Sequence, residues 1–348
     1  MEAKGLFNVA RKEFIDHLTS KRFILILVLF LIISAYSMHE GIGDYNNRLD
    51  EYKEQISRTE EIEGTHVIPT MPSTMCIFQR MREPMSFLGA ILAIAMGFDL
   101  ITREKETRSL KSLLSHPVYR DEIINGKALS GISALAFAVS IVFILLFAIL
   151  LIFSIVPNMD EFLRIALFGA VTVLLFLTYF SIALMASTIS KNSGIALMFA
   201  FVILLAISFG APMLGGMAAK HMVGEPPERP GLQRPEVIDY EHPDEEREEW
   251  LRYQEVRDAY WKKRRAIRDA FEISSPLGSY GKLTGWLIEP RFIEVHSSSG
   301  KLLSTIPAET TNFKELLEKF WKHILVLLIF PVVFLAIAYV KFMRLDIR

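Results

Sequence analysis

The sequence contains few residue groupings that could carry out a chemical reaction. A phosphate-binding loop needs spaced glycines before its lysine and a serine or threonine directly after it. Both features are missing from the three Gly-Lys pairs, which are Gly126-Lys127, Gly281-Lys282 and Gly300-Lys301. His-Glu-x-x-His and Gly-x-Ser-x-Gly strings are absent as well. We therefore expect that this chain is not an enzyme and cannot hydrolyse ATP on its own.

Two weaker groupings suggest other chemistry. Gly41-Ile42-Gly43-Asp44 matches the Gly-x-Gly-Asp string of intramembrane aspartyl proteases, but that chemistry needs its aspartate inside the bilayer and Asp44 lies in an acidic segment. Met and Cys side chains suit Cu(I), and they cluster at Met71, Met75, Cys76, Met81 and Met85, and at Met213, Met217 and Met222. Methionine also fills gaps in apolar packing. We expect packing here, with no metal and no cofactor on this chain.

Apolar and charged residues are segregated along the chain. Of its 348 residues 51% are hydrophobic and 22% are charged, with a net charge of -1. Six apolar runs cover 23–38, 85–101, 129–155, 162–189, 194–217 and 324–340. Their only charged side chains are Asp99 and Arg164. Because about 17 to 25 apolar residues cross a bilayer as a helix, the pattern predicts an all-α polytopic membrane protein with six transmembrane helices and excludes a water-soluble protein.

Composition disfavours several other classes. Cys76 is the only cysteine, so no internal disulfide can form. A near-neutral net charge argues against a nucleic-acid partner. Ion-coupled transport normally needs ionisable side chains near the centres of spans, whereas Asp99 and Arg164 lie near the ends of theirs. A channel or an ion-coupled carrier is therefore disfavoured.

The placement of charge predicts the orientation in the membrane. Four segments would face the cytoplasm if the N-terminus does: 1–22, 102–128, 190–193 and 341–348. Together they hold 15 Lys or Arg against 8 Asp or Glu. Basic short loops stay in the cytoplasm, so both termini are predicted to be cytoplasmic in a multi-pass protein of the cell membrane. Residues 39–84 and 218–323 would then form a large, mostly helical extracytoplasmic domain.

The first 22 residues are predicted to form an amphipathic helix at the inner membrane surface. Its apolar positions recur at helical spacing, at Phe7, Ala10, Phe14 and Leu18. Basic residues occupy its other faces, as in helices that lie along lipid headgroups. A solvated helix packed on the rest of the protein is the alternative. A cleaved signal peptide is disfavoured, because 34–36 makes a poor cleavage site.

Patterns within the two predicted outer segments indicate further helices. Tyr45 to Ile56 shows helical spacing among acidic residues. Asp244 to Phe271 combines an aromatic stripe with oppositely charged pairs four residues apart, which is typical of a solvated helix. Residues 275–310 contain repeated glycines and prolines and are predicted to be a loop, with one or two short strands near Phe292 to Val295.

The predicted inner loop between the second and third runs is the most informative segment. After Asp99 it reads Arg103-Glu104-Lys105-Glu106-Thr107, then Leu113-Leu114, Pro117-Val118-Tyr119-Arg120 and Gly126-Lys127. Together with Arg11-Lys12-Glu13-Phe14 and Lys21-Arg22-Phe23, it resembles the ATP-binding-cassette type 2 (ABC-2) permease family. The family's usual Gly-Thr-Leu is replaced here by Thr107-Arg108-Ser109-Leu110.

The resemblance implies a permease subunit of an ABC exporter. ATP and Mg²⁺ would then bind a separate ATPase subunit, and a second permease copy or a sister permease would complete the assembly in the lipid bilayer. The residues expected to couple to the ATPase are Arg103, Glu104, Glu106, Leu110, Leu113, Leu114 and Arg120. The resemblance makes residues 5–20 the family's elbow helix, with Phe7, Phe14 and Leu18 at the membrane interface.

Physical reasoning supports this assignment of the loop. Its leucines share one helical face that could dock in a groove of another protein, and Lys127 could anchor the third span at the membrane interface. The competing interpretation is a membrane-anchored binding or scaffold protein whose extracytoplasmic domain recognises a ligand or partner.

Overall fold

The computed structural model describes residues 2–61, 72–109, 119–228, 243–288, 292–296, 302–307 and 313–345. Within these residues, six helical segments are long and apolar enough to cross a membrane: Lys21–Ser57, Thr74–Glu106, Arg120–Ile152, Met159–Ile189, Ser193–Val223 and Phe320–Met343. The prediction of a helical protein with six candidate membrane spans is confirmed.

The first candidate span is longer than its apolar run. Helix α1 (Glu2–Thr19) is followed after Ser20 by α2 (Lys21–Glu61). The apolar run and the amphipathic pattern beyond it are therefore one helix of 41 residues. Gly41 is needed within this helix, because a Cβ there would collide with the backbone carbonyl of Ile77. The glycine permits close approach of the two backbones.

The middle of the chain is a series of helices. A 3₁₀ helix (Thr74–Met81) leads into α3 (Arg82–Gly97) and the short α4 (Thr102–Glu106). The next three helices are α5 (Arg120–Ile152), α6 (Met159–Ile189) and α7 (Ser193–Leu205). A π-helical turn (Ala206–Gly210) connects α7 to α8 (Ala211–Val223).

The final part of the chain corrects one prediction. The charged helix α9 (Pro243–Glu272) is close to its predicted bounds, but α10 (Pro276–Ile288) occupies a segment predicted to be a loop. Tyr280, Leu283 and Leu287 are buried at helical spacing, and this packing outweighs the low helix propensity of the nearby glycines. The antiparallel strands β1 (Phe292–His296) and β2 (Leu302–Pro307) precede α11 (Phe313–Met343), so the described part of the chain is helical with a small hairpin.

The chain divides into two compact units, Met1–Leu204 with Ser279–Arg348, and Leu205–Gly278. Helix α6 is at the centre of the larger unit, where it packs against α3, α5 and α11. Its rings Phe168, Phe176 and Phe180 are fully buried. In the smaller unit, α9 packs along α8.

The π-helical turn has a local cause in the sequence. Pro212 has no backbone N–H to donate to the carbonyl four residues earlier, which belongs to Ser208. That carbonyl instead accepts a hydrogen bond from the Ser275 hydroxyl at 3.3 Å, in a buried position. A backbone carbonyl in an apolar environment needs such a partner.

Close packing of α3 and α6 predicts opposite effects at two glycines. A Cβ on Gly97 would lie 2.7 Å from the Cβ of Ala183, whereas Gly43 has open space around it. We expect Gly97→Ala to destabilise the protein by about 1–3 kcal/mol, and Gly43→Ala to stabilise it by up to about 1 kcal/mol through helix propensity. Thermal unfolding in detergent measures both. Equal stabilisation by the two substitutions would contradict this packing.

Candidate functional site

The short helix α4 is fixed at its start by the end of α6. The backbone N–H groups of Ile101 and Thr102 donate to the Ser187 hydroxyl oxygen at 3.0 and 3.1 Å. The first N–H groups of a helix have no partner within the helix. A side chain of α6 therefore satisfies them, and both Thr102 and Ser187 are buried.

Lys105 binds backbone carbonyl groups at the end of α6, which have no partner within that helix. Its Nζ donates to the carbonyl oxygens of Ser187, Thr188 and Ser190 at 3.2, 2.7 and 3.0 Å. These carbonyls lie at the C-terminus of α6, where the helix dipole favours a cation. Lys105 therefore ties α4 to α6 through three contacts.

Glu106 ties α4 to the next helix. Its carboxylate accepts a hydrogen bond from the backbone N–H of Ser193 at 2.7 Å and another from the Ser193 hydroxyl at 3.0 Å. Ser193 is the first residue of α7. A carboxylate at a helix N-terminus satisfies a free N–H and complements the dipole.

Glu104 takes part in a buried cluster of three charges. Lys127 Nζ lies 2.8 Å from Glu104 Oε1 and 2.9 Å from Glu13 Oε1. The side chain of Lys127 is 2% exposed, against 12% for Glu13 and 17% for Glu104. The sequence position of Lys127 suggested an anchor at the membrane interface, but its side chain is buried among other helices. It joins α1, α4 and α5, because each helix contributes one of the three charges.

We call this arrangement the α4 junction: α4 with Glu13, Lys127, Ser187 and Ser193. Three charged residues of the string, Glu104, Lys105 and Glu106, thus bond to other helices of the protein. Of its coupling residues, Glu104 and Glu106 bond to other helices, while Arg103 is exposed. The junction adds Glu13, Lys105 and Ser187 to the site. The sequence did not predict a role for these three residues, because each contacts residues that are distant in the chain.

The remaining site residues lie elsewhere. Arg120 donates to the carbonyls of Met343 and Leu345 at 3.4 and 3.1 Å. Phe14 packs against Phe137 with ring centroids 6.2 Å apart, and Leu18 is half-buried, whereas Phe7 is 62% exposed. The three predicted coupling leucines, Leu110, Leu113 and Leu114, lie outside the described residues.

A polar cavity of about 960 Å³ lies beside the α4 junction. Its charged lining comes from α1, α2, α4, α5 and the segment between α3 and α4: Lys12, Glu13, Asp16, Lys21, Arg22, Asp99, Arg103, Glu104, Glu106 and Lys127. Arg22 and Asp99 form an ion pair at 2.8 Å at this face. The cavity is too densely charged to resemble an apolar ligand pocket.

The methionine and cysteine side chains singled out in the sequence divide into a buried group and an exposed group. Met75, Cys76, Met81 and Met85 are buried side chains of the 3₁₀ helix and α3, and Met71 lies outside the described residues. Met213, Met217 and Met222 are exposed on α8. Asp44 is paired with Arg80 at 2.6 Å. No group of three His, Cys, Asp or Glu side chains placed to hold a metal occurs in the part of the chain that the structure describes.

His17 is expected to make the packing of α1 dependent on pH. Burial lowers the pKa of its imidazole below the usual 6.5, and nearby Lys127 lowers it further, against the opposing influence of Glu13, Asp99 and Asp16. A neutral buried His favours the packed state above the unfolded pKa, and that stability is lost as pH falls. We expect amide exchange in α1, corrected for intrinsic rates, to rise between pH 7.5 and 5.5. His17→Leu should remove this rise, and an unchanged profile would contradict it.

Comparison with known proteins identifies the family of the chain. Six candidate spans indicate a polytopic membrane protein. Residues 7–347 match the model of the ABC-2 family transporter proteins. The chain belongs to the ABC-2 transporter family, which confirms the resemblance seen in the sequence. A search of curated proteins found no match.

Proposed function

We propose that this chain is the permease subunit of an ABC exporter. It moves a substrate out of the cell using ATP that a separate ATPase subunit hydrolyses with Mg²⁺. Both termini and α4 face the cytoplasm, and residues 39–84 and 218–323 lie outside the cell membrane. A second copy of this chain or a sister permease completes the transport pathway.

The α4 junction is the observation that supports this proposal. Lys105 and Glu106 bond α4 to the ends of α6 and α7, and Glu104 bonds it to Lys127 of α5. A force applied to α4 would therefore act on three spans together. Coupling by rigid-body movement needs such a connection between the motor contact and the spans.

The junction also refines the assignment of roles within the loop. Glu104 and Glu106 position α4, because their carboxylates are already bonded within the chain. The contact with the ATPase falls to the exposed side chain of Arg103 and to the leucines at 110, 113 and 114. Charged residues around an apolar contact fix its register.

Co-purification tests this proposal. The tagged full chain is extracted from its native membrane, and the associated ATPase is quantified by mass spectrometry. We expect Arg103→Glu with Leu113→Asp to reduce the recovery of the ATPase at least about tenfold. The first change reverses a charge at the proposed contact, and the second places a carboxylate where an apolar side chain would be buried.

The control makes the same kinds of change, one reversed charge and one apolar residue changed to Asp, away from α4. Arg252→Glu with Val256→Asp alters exposed residues of α9 and should leave recovery unchanged. Equal recovery in the wild type and both variants would contradict docking at α4. Failure of any preparation to retain an ATPase would contradict the proposed subunit role.

A further inference from the structure

A basic cavity lies between α8 and α9, within the smaller unit. Its volume is about 490 Å³, and it is lined by Gly216, Ala219, Trp261, Arg264, Arg265 and Arg268. The two small residues of α8 leave the space that the arginines surround. Three guanidinium groups around one cavity form a site suited to phosphate, which arginine binds through paired hydrogen bonds.

Aromatic residues hold one of these arginines in place. Arg264 donates from Nη1 to the Tyr260 hydroxyl at 3.1 Å, and its guanidinium carbon lies 5.3 Å from the centroid of the Trp261 ring. The Tyr260 hydroxyl in turn donates to the Gly224 carbonyl at 3.1 Å. These contacts orient Arg264 without neutralising its charge.

Charge is distributed unevenly along α9. Residues 243–256 contain six acidic and two basic side chains, whereas residues 257–268 contain six basic side chains and one acidic. The basic half is the part that adjoins the cavity. It creates a local positive field although the chain as a whole is near neutral.

Exposed apolar side chains occur on α8, the helix that contributes Gly216 and Ala219 to the cavity. Met213, Leu214 and Met217 are exposed on α8, which is the last part of the fifth candidate span. Trp261 is also exposed, and tryptophan favours the boundary between lipid tails and headgroups. A ligand that has both a phosphate and acyl chains would satisfy both surfaces.

We propose that this cavity binds the phosphate group of an anionic membrane lipid. The headgroup occupies the space between Arg264, Arg265 and Arg268, and the acyl chains lie along the exposed apolar residues of α8. The site is independent of the α4 junction and of any ATPase. The ligand is held near the C-terminal end of the fifth candidate span, which runs from Ser193 to Val223.

Native mass spectrometry of the purified full chain tests this site. The chain is mixed with phosphatidylglycerol, phosphatidylcholine or inorganic phosphate. We expect preferential retention of phosphatidylglycerol, and a loss of at least about tenfold in its binding when Arg264, Arg265 and Arg268 are all changed to Gln, because each basic side chain near a headgroup contributes to lipid attraction. Thermal unfolding reports whether the variant is folded.

A second triple variant separates this cavity from general charge. Arg257, Lys262 and Lys263 changed to Gln remove the same charge from the same helix without altering the cavity lining, and lipid retention should persist. Equal losses in the two variants would overturn the proposal. Equal binding of phosphatidylcholine, or displacement of phosphatidylglycerol by millimolar inorganic phosphate, would overturn the assignment to an anionic lipid.

Discussion

Lys127→Met is expected to destabilise this protein by about 3–5 kcal/mol, the cost of breaking a buried ion pair by removing one partner. The substitution keeps most of the length of the side chain but leaves the carboxylates of Glu13 and Glu104 close together without their cation. Like charges in a buried site repel, and each also loses a hydrogen-bond donor. Denaturation in mixed micelles measures the change in the free energy of unfolding.

Two comparisons show whether the buried triad is responsible. Arg22→Met removes a cation whose side chain is 62% exposed in its pair with Asp99, and should cost less than about 1 kcal/mol. Glu13→Leu, Glu104→Leu and Lys127→Met together replace the triad by apolar groups and should recover most of the lost stability. If Lys127→Met behaves like Arg22→Met, the triad does not hold the three helices together.

Lys105→Met should release α4 from α6 while leaving the rest of the fold in place. The change removes the only side-chain donor described here for the carbonyls of Ser187, Thr188 and Ser190. Loss of a charge-assisted hydrogen bond costs about 1.5–3 kcal/mol. Because 1.4 kcal/mol is tenfold in an equilibrium constant, the detached population of α4 should rise roughly tenfold to a hundredfold.

Spin labels measure this detachment. Cys76 is replaced by Ala, and spin labels are attached to cysteines introduced at Arg108 and Lys191. Pulsed electron paramagnetic resonance then reports the distance between the residues that follow α4 and α6. We expect a narrow distribution in the wild type and a broad or double distribution in Lys105→Met. Lys53→Met, which removes an exposed cation paired with Asp50 on α2, is the control and should not change it. A narrow distribution in Lys105→Met would mean that the other contacts suffice.

The spans were predictable because hydrophobic length alone decides them. Six apolar runs correspond to six candidate spans, and the charged helix near residues 244–271 followed from its stripe and its pairs four residues apart. The full length of helix α2 was harder to predict, since its amphipathic second half follows the apolar run without a break. Helix α10 was missed because its glycines suggested a loop, whereas burial of Tyr280 and Leu283 decides its conformation.

The contacts that α4 makes within the chain could not be predicted from the sequence. The loop pattern located α4, yet Glu104 and Glu106 were expected to face a partner protein. Within the chain, Glu104 pairs with Lys127 and Glu106 accepts a hydrogen bond from Ser193, and both partners belong to other helices. A charged residue in a loop has the same sequence signature whether it faces solvent or the end of another helix. Only tertiary packing distinguishes the two.

Site-specific photocrosslinking in the native membrane tests most directly whether α4 receives the ATPase. A photoreactive residue is placed at Arg103, on the exposed side of α4, or at Trp250, in α9. Crosslinking at Arg103 to an ATP-binding-cassette subunit, with none at Trp250, is the predicted result. A crosslink to that subunit at Trp250 but not at Arg103 would contradict docking at α4 and the proposed orientation, and no crosslink at either position would favour a membrane-anchored scaffold.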